Sequence, residues 1–281
     1  MAIKNIVADL LNESPNRRGL LKKLGIASAA VAAGGMLKVA ADPASPTVVD
    51  VLQFALNLEY LEAEFYTVAT MGKTIDQVGI GISGDGTPGP TAGGNAVNFA
   101  NNLVFTQNVA LEIGQDERAH VTLLRGALQD ANIVPVAKPA INLNALGIGF
   151  ANEVQFLTLA RVFEDIGVTA YAGAAGLPAV ANSPYIGTAA RILATEAEHV
   201  GNIRLQCARL GITTTALDTV DFPPPPSGPN FISADNTSGL VSVRTPGQVL
   251  FLAYGSVANV TSGGFFPNGM NGNLRTSSAS A

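Results

Sequence analysis

The chain has 281 residues and a formal net charge of -5, with 47% apolar and only 13% charged residues. That is enough for one well-buried core plus an appendage, too apolar for a disordered polymer, and, with no basic cluster beyond the N-terminus, unsuited to nucleic acid as a partner. A single cysteine, Cys207, excludes an intramolecular disulfide and reads as a packing residue of the core.

In chain order, Arg17 and Arg18 come first, ahead of an Ala- and Gly-rich apolar stretch from Leu24 to Leu37 and the small residues Val39-Ala40-Ala41. This order resembles a twin-arginine export signal, cleaved after Ala41, and the apolar stretch falls short of the roughly 18 to 20 residues that span a bilayer. The expectation is a signal at residues 1–41 and a mature protein exported already folded, periplasmic or extracellular, with no stable membrane span after signal removal. A basic, amphipathic first helix is the alternative.

Four segments then show the 3.6-residue apolar spacing of helices. The first is predicted from about Val48 to Thr70, opened by Ser45-Pro46-Thr47 and closed before Gly72. A Gly- and Pro-rich excursion between Gly79 and Gly94 reads as exposed and too flexible to pack. The second helix is expected from about Ala96 to Asp130, followed by an extended crossover bracketed by Pro135 and Pro139. The third runs from about Ala145 or Phe150 to Ala175, and the fourth from about Tyr185 to Leu210, with Gly211 as its terminating glycine. Residues 42–221 are thus expected to form an all-α, antiparallel four-helix bundle with a long crossover between its second and third helices. Residues 222–281 read as a Pro/Gly-rich, largely irregular extension docking on the bundle, with the Pro223 to Pro226 run holding it extended.

The second and fourth helices each carry Glu-x2-His, at Glu117/His120 and Glu196/His199, which places a carboxylate and an imidazole on one helical face. The first and third carry Glu-x6-Tyr, at Glu59/Tyr66 and Glu164/Tyr171, and all six ligand-type residues fall in line with apolar positions. Glu-x6-Tyr recurs at an offset of 105 residues and Glu-x2-His-Val-x3-Arg at an offset of 79, so the chain holds a degenerate repeat of two helical hairpins. Pairing them about a pseudo-twofold axis gathers four carboxylates and two imidazoles. Four buried glutamates carry a charge that two divalent ions would neutralise, and oxygen and nitrogen ligands without thiolate suit iron best, with manganese as the alternative. Glu62, one turn beyond Glu59, is an alternative ligand from the first helix. By the same symmetry, each Glu/His pair is expected to hold one ion.

On these residues the chain resembles the ferritin-like superfamily. Leu56 to Tyr66, Asp116 to Val121, Arg244-Thr245-Pro246 and the Gly263 to Gly272 stretch look like the branch that includes plant desiccation-related proteins. The resemblance implies fold and ligands more firmly than activity. The leading expectation is a redox enzyme, of oxidase or peroxidase type, whose dimetal centre reacts with dioxygen or peroxide in oxidative or desiccation stress, with Tyr66 and Tyr171 as hydrogen-bond or electron partners beside it. A non-catalytic structural or stress-protective envelope protein and a metal storage or sequestration protein are the competing readings. A homo-oligomer is compatible with the sequence, but the appended tail argues against a storage cage.

Overall fold

The computed structural model describes residues 45–99 and 104–279; the export signal expected at Arg17-Arg18 and its expected cleavage point lie outside them. Helix α1 spans Val48–Met71, and its ends follow from local chemistry. Thr47 and Asp50 form a reciprocal capping box, and Gly72, at φ 64°, ends the helix in the left-handed conformation that a side chain would resist. Helix α2 is Val104–Asp130, α3 is Glu153–Ala175 and α5 is Ile186–Arg209, with the single turn α4, Pro178–Ala181, between the last two. α1 packs chiefly on α2, and α3 chiefly on α5, so two helical hairpins face each other. The bundle is all-α, as expected, and Gly211 (φ 63°) ends α5 with the Ile212 N–H donating to the Cys207 carbonyl at 2.8 Å.

Two helix starts differ from expectation. Residues 96–99 are not helical, and the Val97 N–H instead donates to the Ala69 carbonyl (2.8 Å). α3 begins at Glu153 rather than near Ala145 or Phe150, because the Asn152 side chain accepts the Gln155 N–H at 3.0 Å and caps the helix there.

The glycine-rich excursion packs against the crossover. Asp85 bridges Val136, and β1 (Thr91–Ala92) pairs in parallel with β2 (Ile141–Asn142). A Cβ at Gly84 would lie 1.9 Å from the Pro135 carbonyl oxygen, and one at Gly89 2.4 Å from the Ala140 nitrogen, so these glycines permit backbone to meet backbone. The proline run also behaves differently from expectation. It turns rather than extends, with the Ser227 and Gly228 N–H groups donating to the Pro224 carbonyl at 3.0 and 3.1 Å. Gly228 allows this closure, since a Cβ there would meet the Pro223 oxygen at 2.3 Å.

From Pro46 onward the described chain forms one compact unit. Three buried arginines tie the C-terminal segment to the bundle. Arg161 meets both Asp221 oxygens at 2.6 Å, Arg204 donates to the carbonyls of Phe222, Asn230 and Phe231, and Arg244 grips Asp218 and the Thr169 hydroxyl. A short helix, α6 (Pro246–Ala253), then lies against α3. Further on, Asn271 exchanges hydrogen bonds with Asn57 of α1 and donates to the Ala137 and Thr87 carbonyls. No helix among the described residues is long and apolar enough to cross a membrane.

Candidate metal centre

All six residues marked by the repeat meet at the middle of the bundle, and all are buried. One ligand-type atom from each of Glu59, Glu117, His120 and Glu196 lies within 4.8 Å of the others, and so does one from each of Glu117, Glu164, Glu196 and His199. Glu117 and Glu196 therefore belong to both groups. This differs from a division into one ion per Glu-x2-His pair: the α1 glutamate joins the α2 histidine, the α3 glutamate joins the α5 histidine, and the other two glutamates span both positions. The reason is the antiparallel approach of α2 and α5, which sets His120 3.4 Å from Glu196 and His199 3.0 Å from Glu117.

The tyrosines complete the pattern crosswise. Tyr66 of α1 donates to Glu164 Oε1 of α3 at 2.5 Å, and Tyr171 of α3 donates to Glu59 Oε1 of α1. Residue numbers rise in opposite directions in these pairs, so α1 and α3 run antiparallel and the two phenols lie on opposite sides of the cluster. Burial, then the adjacent carboxylate, pushes both phenols well above their ordinary pKa, so each remains a donor.

Glu62 is buried beside the cluster but belongs to neither ligand group, so the geometry favours Glu59 from α1. Its counterpart in the repeat is Gly167 of α3. A Cβ at Gly167 would lie 2.4 Å from Glu196 Oε2 and 3.3 Å from Glu62 Oε1, so glycine makes room for a fifth carboxylate.

The electrostatics show a site short of positive charge. Burial pushes Glu62, Glu164 and Glu196 above the usual carboxylate range and Glu59 up to about 7. Burial would raise Glu117 too, but the two imidazoles that lie beside it outweigh burial and hold that carboxyl at about 2. Eight buried atoms nevertheless have no hydrogen-bond partner: Glu59 Oε2, both Glu117 oxygens, His120 Nδ1, Glu164 Oε2, both Glu196 oxygens and His199 Nδ1. Unpaired buried polar atoms are costly, and these converge from opposite helices on two shared points. A divalent ion at each point would satisfy them, so the residues present fit the metals that the sequence implies.

Asp116 was not foreseen. Its Oδ2 lies 3.2 Å from His199 Nε2, the ring nitrogen facing away from the cluster. Its position directly before Glu117 was the available signal.

Residues 47–208 match the ferritin-like domain family, and the chain belongs to it. Among characterised relatives it is 27% identical over 143 residues to the desiccation-related protein PCC13-62 of Craterostigma plantagineum, a match spanning 45% of this chain and 42% of that one. It is also 24% identical to the ferritin-like catalase Nec2 of Nesocodon mauritianus, across 80% of this chain and 84% of the relative. No solved structure matches the chain.

Proposed function

We propose that this protein holds two divalent ions, iron or manganese, and is an exported redox enzyme whose centre reacts with peroxide or dioxygen under oxidative or desiccation stress. The observation that carries the reading is the convergence of eight buried, unpartnered oxygen and nitrogen atoms of Glu59, Glu117, His120, Glu164, Glu196 and His199. Such ions, when bound, supply the electron exchange that glutamate and histidine cannot. Glu117 and Glu196 would fix the spacing of the two positions, while Glu59 with His120 and Glu164 with His199 would close their outer sides. Tyr66 and Tyr171 hold the remaining oxygens of Glu164 and Glu59 in place and keep a proton beside each. The surrounding apolar stripes exclude bulk water.

The relative named as a catalase favours peroxide. In that disproportionation one peroxide gives two electrons and two protons to a second, yielding one dioxygen and two waters. The relative named as desiccation-related favours the stress setting.

Anaerobic loading of the full chain with iron or manganese, followed by metal analysis and oxygen-electrode measurement, tests the reading. Two metals per chain, oxygen evolved from peroxide or consumed on reoxidation, and loss of both metals in Glu117→Ala are expected. A chain that stays metal-free after loading overturns it, and two metals inert to both oxidants would favour a non-catalytic protective role.

A further inference from the structure

The two ends of the bundle, related by the repeat, are filled differently. At the Tyr66 end, Phe65 stacks on Phe156 at 5.2 Å, meets Phe163 edge-on at 5.0 Å, and contacts the Tyr66 ring at 5.0 Å. Their counterparts at the offset of 105 residues are Ala170, Val51 and Leu58. At the Tyr171 end these smaller side chains line a cavity of about 50 Å³, with Pro246 and Val249 of α6 in its wall. Tyr171 forms part of its wall while its hydroxyl holds Glu59, so the hollow ends one side chain away from the cluster.

Apolar side chains make up almost all of this wall. A water needs two to four polar partners to be stable in such a space, whereas a dry apolar cavity takes up small uncharged molecules. The cavity shares Leu123, Thr188 and Ile192 with an open cleft of about 470 Å³ that also reaches His120 and carries Arg191 and Thr195 on its rim. The cleft is polar at its mouth and suits water or peroxide; the space behind it does not.

We propose that the cavity beside Tyr171 is a binding site for dioxygen, entered from the cleft at His120 past Leu123, Thr188 and Ile192. This rests on the dimetal reading, in which dioxygen is the one apolar reaction partner, whether consumed or released. The replacement of three phenylalanines by smaller residues at symmetric positions makes the site, and the same replacement in reverse removes it.

Xenon is the probe. Crystals of the metal-loaded full chain under xenon pressure should show a peak against the Tyr171 ring, and Ala170→Phe, which restores the counterpart of Phe65, should abolish it with metal content unchanged. Ala170→Leu, a smaller intrusion, should reduce the occupancy and covers the case in which the phenylalanine variant fails to fold. Reaction steps that consume or release dioxygen should slow in the same variants. A metal-loaded chain with ordered water or no xenon in the cavity, or an unaltered xenon peak in both variants, overturns the proposal alone. Xenon bound in a chain that takes up no metal overturns the dimetal reading, and dioxygen as occupant with it.

Discussion

Asp116 lies 3.2 Å from Nε2 of His199, whereas Thr195, which corresponds to it in the other hairpin, donates its hydroxyl to the Arg191 carbonyl at 3.2 Å. His199 thus has a carboxylate fixing its ring and tautomer, and His120 faces the cleft instead. Carboxylates placed in this way raise the basicity of a ligating imidazole, and their loss weakens metal binding by roughly 10- to 100-fold. Asp116→Asn should therefore split an otherwise similar pair of metal affinities, weakening the position served by Glu164 and His199 and sparing the other. Equilibrium titration with a competing chelator reads this as two separated steps; a uniform loss at both positions, or none, would refute the positioning role. His120 and His199 lie at similar distances from the cluster's carboxylates and differ in their outer partners. The repeat displays ligands, whereas the residue beside a ligand is free to differ between the halves.

Among elements, α3 serves two polar interfaces at once, since Glu164 faces the cluster while its neighbour Asp165 pairs with the arginines that hold the C-terminal segment. Asp165 forms an ion pair with Arg161 at 2.7 Å and accepts a hydrogen bond from Arg204 at 2.9 Å, and all three side chains are buried. Asp165→Ala would leave two buried guanidinium groups short of a partner, which should cost about 3–5 kcal/mol, read by denaturant unfolding. Limited proteolysis should then cut between residues 222 and 245 first, because Arg204 holds the backbone there. Unchanged stability would show that carbonyl contacts alone suffice. The helices themselves were legible, because their apolar spacing and their capping Thr and Gly are local signals. The Arg161 to Asp221 contact joins positions 60 residues apart and left no local trace. The packed glycine excursion was misread for a related reason: backbone-to-backbone pairing leaves nothing in side-chain periodicity, and the same glycines that signal flexibility also permit close approach.

For the whole molecule, the centre sets how stability responds to pH. Burial raises the Glu59 carboxyl from 4.5 to about 7, so between those values the folded chain keeps a proton that the unfolded chain has released. Burial would lower His199, but the Glu164 and Glu117 carboxylates outweigh it and push the imidazole up from 6.5 to about 12. Its stabilisation is complete below 6.5 and is lost as pH rises toward 12. Both shifts make the metal-free fold less stable as pH rises, Glu59 from about 4.5 and His199 from about 6.5, while Glu117, held at about 2, supplies a separate loss on the acid side. Metal binding must displace the retained protons, so the loaded protein should gain affinity and melting temperature over the same rise in pH. Thermal melts of both forms across this range test the sign; parallel profiles would mean that the cluster carries no such protons. The repeat revealed this centre because ligand and tyrosine spacings recur. It concealed the hollow end, which exists only where the two halves depart from each other.

The Asn57 to Asn271 contact also bears on the order of synthesis. Asn57 is fully buried in α1; its amide nitrogen donates locally to the Gln53 carbonyl, and the residue that takes its second bond and donates to its oxygen lies 214 residues later. When the four long helices have left the ribosome, that amide and the crossover carbonyl of Ala137 still lack Asn271, which follows the end of α5 by 62 residues. Helices can form and pair before Asn271 is made, but the polar junction joining the first helix, the glycine excursion and the crossover can close only once that residue has emerged. This segment thus makes completion of the fold conditional on a chain that reaches Asn271, and a product ended before it leaves Asn57 with only its bond to the Gln53 carbonyl inside α1.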